Sequence, residues 1–342
     1  MTRAANASSL APPAAATTSP AAPSPLRGSA QVLAAAAMMG TLGPVSGIAY
    51  RTGIAGPTLS AMRAGIGAAI LWLLIAARRQ PAIRLRSLDR RERTMLAAAV
   101  LVNGLMNLAL FVAWGLMTVA LVTVVFYTYP LLTAVGSAAL GRERLTPPRI
   151  AALAVAGFGI LLVLGDQVGP DAQASVAGIA LAFAASVCHA SYLIIVKGGF
   201  DRVPAAQATA CVLSGGFLIS GGAALAMFGV GALGGWVTSP LAWAAILFIG
   251  SFGAALPKIW VISGVRIVGA TRAAILMLAE PITAVVVAAI VLGQTLTAQQ
   301  VVGGALILAA VVLVQRRDPG VGVRAPDPDE EIRVAEDAVA LE

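Results

Sequence analysis

One stretch toward the C-terminal end of the chain, residues 267–297, limits the possible folds more than any other. It reads IVGATRAAILMLAEPITAVVVAAIVLGQTLT and places an acid, Glu280, and a proline, Pro281, inside an apolar run. A charged side chain near the centre of a bilayer costs about 2.5 to 3.5 kcal/mol on insertion scales. Pro281 also removes the amide that would bond the carbonyl of Met277. We therefore expect this helix to be buried in a helical bundle or to line a cavity.

A second copy of the pattern lies 151 residues upstream. The stretch FYTYPLLTAVGSAALGRERLT aligns Pro130 with Pro281 and Thr146 with Thr297. Prolines in corresponding hydrophobic segments of two halves are typical of duplicated transporters whose helices are interrupted near the membrane midplane. The pattern therefore predicts helix breaks at Pro130 and Pro281.

The composition is that of an integral membrane protein. Of 342 residues, 59% are apolar and 11% are charged, and the net charge is +8. Because the arginines lie in short loops between apolar runs, the positive charge indicates membrane topology and no nucleic-acid partner. Ten apolar segments are long enough to cross a hydrocarbon core of about 30 Å. They lie at 30–50, 57–77, 94–113, 116–139, 149–165, 175–196, 204–228, 241–264, 267–292 and 298–315.

The loops between these segments alternate in charge. Basic residues occupy the even-numbered loops and the region after the last segment, whereas Arg51 is the only basic residue of the odd-numbered loops. The positive-inside rule then places both termini in the cytoplasm. Since each half holds five segments, the second half must insert upside down relative to the first. The predicted fold is an all-α integral membrane protein with ten transmembrane helices in an inverted 5+5 repeat.

The same pattern predicts four regions. Residues 1–28 are rich in Ala, Pro, Ser and Thr and are expected to form a disordered cytoplasmic tail, with a plastid transit peptide as the alternative. The two repeats are predicted at 29–166 and 174–316, and a second disordered cytoplasmic tail at 317–342.

Few ionisable residues lie within the ten segments. Glu280 is the only acid among them and is the leading candidate for proton coupling. The alternatives are an ion pair with Lys258 that fixes the bundle, or an incidental polar contact. Lys258 stands opposite Asn107 in the 151-residue frame, which predicts a polar cluster near the midplane. Lys258 would then bind an anionic or zwitterionic substrate, or else reach the lipid headgroups with its amine.

Two arginines have similar alternatives. Arg63 either gates a central cavity or reaches the headgroups, whereas Arg272 stands close enough to the inner end of its segment that we expect it to reach the headgroups. His189 is the only histidine, so the chain cannot build a multi-histidine metal site. It is either a hydrogen-bonded interior residue or a proton relay or substrate contact. Tyr127 and Tyr129 precede Pro130 and either contact substrate or serve helix packing.

Motifs for catalysis and cofactor binding are missing from the sequence. GVGALG at 229–234 matches a dinucleotide fingerprint but follows an apolar helix and no strand, so it fails the required context. We therefore predict no enzyme activity, no metal and no cofactor.

Three segments resemble the EamA family of the drug/metabolite transporter superfamily. They are VVFYTYPLLTAVGSAALGRERLT, GVRIVGATRAAILMLAEPITAVVVAAIVLGQTLT and PTLSAMRAGIGAAILWLLIA. The residues that match the family pattern are Arg63, Glu143, Glu280 and Pro281. The residues that depart from it are His189, Lys258 and Gln294. The resemblance implies a ten-helix carrier of the cell inner membrane or plasma membrane, with a central site between its halves.

The resemblance also implies alternating access and, for most members, export of amino acids, other metabolites or toxic compounds on the proton gradient. We expect a secondary active transporter whose partners are a small-molecule substrate, membrane lipid and the proton gradient. The sequence leaves the oligomeric state open, and a monomer is compatible with it. Substrate binding is expected near Arg63, Asn107, Tyr127, Tyr129, His189 and Lys258. Import or exchange, a membrane scaffold or sensor, and a membrane-embedded enzyme are the alternatives.

Overall fold

The computed structural model describes residues 24–79, 87–117, 119–165, 175–292 and 297–317. Within these ranges the regular elements are helices, and no strand occurs. The α-helices are α1 (Pro25–Gly40), α2 (Leu42–Tyr50), α3 (Gly56–Ala77), α4 (Arg90–Leu116), α5 (Val119–Phe126), α6 (Tyr129–Ala139), α7 (Pro147–Gly165), α8 (Val176–Val196), α9 (Ala205–Phe228), α10 (Pro240–Gly250), α11 (Leu256–Val268), α12 (Ala270–Met277), α13 (Glu280–Leu292) and α14 (Ala298–Arg317).

Many of these helices have the length and composition of membrane spans. In the described part of the chain, seven helical stretches are long and apolar enough to cross a bilayer, some of them joining two of these helices, and two shorter apolar helices cover Pro147–Val163 and Ala298–Leu313. The predicted all-α, multi-pass membrane fold is confirmed, whereas the count of ten spans and the 5+5 arrangement remain predictions. Helix α1 begins at Pro25, four residues before the predicted boundary. The predictions for 1–23 and 318–342 lie outside the described residues.

Two helices are interrupted next to the paired prolines. Helix α5 ends at Phe126 and α6 begins at Tyr129, so Pro130 stands in the first turn of a new helix. In the second half α12 ends at Met277 and α13 begins at Glu280, with Pro281 as its second residue. Proline is tolerated there because the amides of a first helical turn have no intrahelical partner. Glu280 consequently stands at the start of a helix, where the helix dipole favours an acid.

Two further interruptions were not predicted. Helix α1 ends at Gly40 and α2 begins at Leu42, while a π-helical turn, Ser251–Ala255, separates α10 from α11. Single π-helical turns inside α-helices occur frequently at functional sites. The two features contact each other, because a Cβ added to Gly253 would come within 2.1 Å of the Leu42 side chain.

The helices of the two halves pack in reciprocal pairs. Helix α3 packs on α9 and α7 on α14, while α4 packs on α8 and α1 packs on α11. When each helix is exchanged for its counterpart 151 residues away, the first two pairs are unchanged and the α4–α8 pair becomes the α11–α1 pair. The predicted two-fold relation between the halves would produce this reciprocity.

Loops that the charge pattern assigns to the cytoplasm meet at one end of the bundle. Arg142 donates to the carbonyl of Ile194 at 2.7 Å, and Lys197 donates to the carbonyl of Arg266. Arg266 in turn donates to the carbonyl of Val203 at 2.8 Å. Cations at helix C-termini satisfy carbonyls that lack intrahelical partners. This end is therefore closed by a polar network that joins the two halves.

The opposite end is closed by aromatic packing. Phe111 and Trp114 meet edge to face at 4.8 Å between ring centroids, and Trp236 and Trp243 lie 5.7 Å apart. They belong to a core cluster that also contains Ile54. Trp is enriched where membrane proteins meet the interface.

Glu143 caps helix α12 across the boundary between the halves. One carboxylate oxygen accepts from the backbone amides of Ala270 at 2.7 Å and Thr271 at 3.3 Å. The other accepts from Arg149 at 3.2 Å. The chain can approach so closely because Gly269, with φ of 89°, precedes the helix. Since α12 leads to Glu280, this cap holds the segment that carries the acid.

Removing the cap should destabilise the protein. In Glu143→Ala the two amides and Arg149, which is 5% exposed, lose an acceptor, and we expect a loss of about 1–3 kcal/mol. Glu143→Gln keeps an acceptor oxygen for the amides and should lose less. Thermal unfolding in detergent measures both.

The control for the cap is Asp201→Asn, which removes an exposed ion pair to Arg266 at 3.7 Å and should change little. If Glu143→Ala unfolded at the wild-type temperature, the cap would contribute nothing to stability.

Candidate functional site

A small cavity lies between the halves of the bundle. Its volume is about 40 Å³. Its lining residues are Met39, Ser60, Arg63, Ala64, Asn103, Met106, Asn107, Val212, Leu213, Gly216, Gly253, Ala254 and Lys258. Small-molecule sites generally occupy about 300–1,000 Å³. The bundle must therefore widen before a metabolite can enter.

Arg63 is held in this cavity by Asn107 of α4, which is bonded in turn to Asn103. Its guanidinium donates to Oδ1 of Asn107, whose Nδ2 donates to the carbonyl of Asn103 at 2.8 Å. The guanidinium also lies 5.6 Å from the ring centroid of Phe111. Arg63 and Asn107, both predicted as substrate contacts, thus line the same cavity, and Arg63 is directed into the bundle.

Lys258 lines the cavity from α11. Its side chain is 8% exposed, so the amine does not reach the headgroups as snorkelling would require. The ammonium lies 4.9 Å from the ring centroid of Tyr192, a cation–π contact. It has neither a hydrogen bond nor an ion pair with any residue that the structure describes.

Glu280 stands beside this polar group as a half-buried, unpaired acid. Lys258 and Arg63 interact with it electrostatically, as do the hydroxyl groups of Tyr127 and Tyr129. Among the described residues, however, its carboxylate makes no hydrogen bond or ion pair. The alternative of a Glu280–Lys258 ion pair is thus not formed in this structure.

Gly40 sets the position of Glu280, and sequence reasoning missed it. A Cβ added to Gly40 would stand 2.6 Å from the carbonyl oxygen of Glu280 and 2.7 Å from Cβ of Thr283. Real Cβ atoms do not approach other atoms this closely, so the backbones of α1 and α13 are in direct contact. The small residues that follow, GPVSG at 43–47, were the available signal for close helix packing.

His189 and two tyrosines form an aromatic layer behind the cavity. His189 is 2% exposed, and its Nδ1 lies 2.9 Å from the sulfur of Met106, a lining residue. The ring of Tyr129 meets it edge to face at 4.5 Å, and Tyr127 lies 6.1 Å from Tyr129. His189, Tyr127 and Tyr129 are therefore brought together, but they do not line the cavity. Buried polar atoms without a partner in the described residues are Nε2 of His189, the hydroxyl of Tyr129 and the hydroxyl of Tyr192, whose ring lies next to this layer.

One prediction for an arginine is wrong. Arg272 is 6% exposed and lies inside the bundle, because the short helix α12 that carries it packs between α1, α6 and α8. It does not reach the headgroups.

Several lining residues were not singled out from the sequence. The polar ones are Ser60 and Asn103. Asn103 is 2% exposed and precedes Asn107 by four residues, a spacing that places both on one helix face. That spacing could have been read from the sequence, whereas the position of Ser60 depends on packing between the halves.

Comparisons with known proteins identify the family and support the fold. The EamA-like transporter family matches residues 26–165 and 176–316. An uncharacterized transporter of Archaeoglobus fulgidus is 29% identical over 234 residues, which cover 68% of this chain and 80% of the relative. A solved crystal structure matches with a TM-score of 0.69 and 18% identity, over 84% of this chain and 96% of that chain, and so supports the fold.

The family match extends over most of the chain and divides it into two repeats, one on each side of the cavity that Arg63 and Lys258 line. The chain therefore belongs to the EamA-like transporter family.

Proposed function

We propose that this membrane transporter exports a small polar metabolite, such as an amino acid or a related compound, in exchange for protons. The observation that carries the proposal is an acid, Glu280, that has no ion pair among the described residues and stands at a helix break beside a cavity lined by two cations. The family match supports transport, and the arrangement of the site supports proton coupling.

The closed cavity supports alternating access as the mechanism. Its volume of about 40 Å³ is too small for a metabolite, so the bundle has to open toward one side to admit the substrate. The reciprocal packing of the halves supports ten spans in an inverted repeat, whose halves rock around the central site. The breaks at Pro130 and Pro281 lie where such a motion would bend the chain.

Export by exchange requires that a proton and the substrate do not bind together. Glu280 is the group where they would compete, because an ammonium or another donor on the substrate needs the same carboxylate oxygens as the proton. The charged and polar groups that act on Glu280 electrostatically are Lys258, Arg63, Tyr127 and Tyr129. Of these four residues only Lys258 and Arg63 carry a charge, so they alone offset the negative charge of Glu280.

Uptake is the second candidate function, and the two cations favour it if the substrate has an anionic group and no cationic one. A substrate that offered only an anionic group would neutralise Lys258 and Arg63, while a proton would neutralise Glu280. Each event would then favour the other through charge balance, and substrate and proton would travel in the same direction.

The proposed side of the termini is cytoplasmic, in the inner or plasma membrane. The supporting observation is that the basic loops, including Arg142, Lys197 and Arg266, contact one another at one end of the bundle.

Export can be tested in cells that overexpress the protein. We expect a metabolite to accumulate outside the cells and the accumulation to disappear with a protonophore, because the gradient drives it. Comparison of intracellular and external metabolites by mass spectrometry measures this, with cells that express Glu280→Gln as the matched control. A metabolite that accumulates inside instead would identify an importer. No change in any metabolite would favour a scaffold or sensor.

A further inference from the structure

We infer that the cavity binds an anionic group of the substrate, a carboxylate or a group of equal charge, and that Lys258 determines this preference. The inference deepens the proposed function and rests on it for the claim that the bound molecule is transported.

The polar atoms that remain free along the cavity are hydrogen-bond donors. Nε of Arg63 and Nδ2 of Asn103 are buried without a partner among the described residues, and the ammonium of Lys258 has no acceptor there either. The acceptors of the lining are already engaged, since Oδ1 of Asn107 accepts from Arg63 and Ser60 bonds Ser220 at 3.2 Å. A group that only accepts hydrogen bonds complements such a surface, and an ionised carboxylate is that group.

The excess of positive charge at the site also favours an anionic ligand. Two cations, Arg63 and Lys258, line the cavity, and none of its lining residues in the described ranges is acidic. Glu280 stands nearby and supplies one negative charge, which leaves one positive charge without compensation. Buried charge is costly unless it is paired. Because Lys258 is more than nine-tenths buried and its ammonium makes a cation–π contact with Tyr192 but no ion pair among the described residues, an anion is the partner that it lacks.

The duplication shows why Lys258 in particular carries the preference. Its counterpart in the first half is Asn107, a neutral residue that also lines the cavity. The counterpart of Arg63 is Ser214, which accepts from Trp72 at 3.1 Å and donates to the carbonyl of Ala210 at 2.8 Å. Each half thus contributes one cation from a different position. The substitution Lys258→Asn would give both halves the same residue at this position.

The test measures ligand-induced thermal stabilisation of the purified full-length protein in detergent at pH 7. The probes are small metabolites, each offered as the free carboxylate and as its primary amide, which has nearly the same shape. In wild type we expect carboxylates to stabilise the protein and their amides not to. Lys258→Asn should weaken carboxylate affinity by about 10- to 100-fold, since it removes a charged hydrogen bond. Lys258→Arg should keep the preference.

The chain offers a matched control in its only other lysine. Lys197 lies at the polar end and donates to the carbonyl of Arg266. Lys197→Asn should leave the preference for carboxylates unchanged, even if it lowers the unfolding temperature without ligand.

Two results would overturn the inference: no carboxylate stabilising the wild type more than its amide, or unchanged carboxylate affinity in Lys258→Asn. If Lys258→Asn does not fold, the comparison of carboxylate and amide binding to the wild type still tests whether the cavity prefers an anion. Counterflow in proteoliposomes separates this inference from the proposed function. Carboxylates that bind without being transported would contradict the proposed function and support the anion site. A transported substrate without an anionic group would support the proposed function and contradict the anion site.

Discussion

Glu280→Gln protein is expected to lose proton-driven transport while it still exchanges substrate for substrate. Glutamine has nearly the shape of the protonated acid and can accept a hydrogen bond, but it cannot take up or release a proton. In proteoliposomes with an imposed pH gradient, uphill movement of a labelled substrate should fall to the level of empty liposomes. Counterflow, which needs no proton, should persist because α13 and Pro281 keep their places at the cavity.

The matched control is Glu143→Gln, which makes the same chemical change at the cap of α12. That variant should retain pH-driven transport despite lower stability, because Glu143 lies at the polar end of the bundle, outside the cavity. If Glu280→Gln kept the wild-type pH dependence, Glu280 would be a packing residue and proton coupling would lie elsewhere.

Gly40→Ala is expected to impair transport nearly as strongly. The added Cβ would lie 2.6 Å from the carbonyl oxygen of Glu280, so α1 or α13 must shift and the contact that positions the acid is lost. Overpacking of this kind costs about 1–3 kcal/mol, which corresponds to roughly a 5- to 150-fold loss if it falls on the transporting conformation. Initial transport rates and thermal unfolding of the purified variant measure the two consequences.

Gly47→Ala serves as the control for this substitution. Gly47 follows in α2, and a Cβ added there would meet no atom within 4 Å. We expect wild-type transport and stability from it. Equal transport by Gly40→Ala and Gly47→Ala would show that the contact between α1 and Glu280 does not position the acid.

The positions of the helices along the chain could be predicted from the sequence because they depend on the residues of each segment alone. Apolar segments flanked by arginines predicted the spans, and the two prolines predicted interruptions where α6 and α13 begin. These signals need no knowledge of neighbours, since a bilayer requires each span to satisfy its own backbone hydrogen bonds. The same local rule failed for Arg272, whose surroundings depend on which helices enclose α12.

The repeat and the candidate acid were also evident from the sequence alone. A frame of 151 residues relates Pro130 to Pro281 and Asn107 to Lys258, and a single acid inside the spans singles out Glu280. A charge in an apolar segment is conspicuous wherever the segment folds, because its transfer into hydrocarbon is unfavourable.

The tertiary structure alone decided which side chains face each other. It placed Arg63 against Asn107, left Lys258 without an acceptor in the described residues and brought Gly40 against the backbone of Glu280. These contacts join residues far apart in the chain, so they depend on how the two halves pack, which no local pattern encodes. The sequence by itself predicted the spans, the repeat and the candidate acid, whereas packing between the halves determined the cavity and the charges that line it.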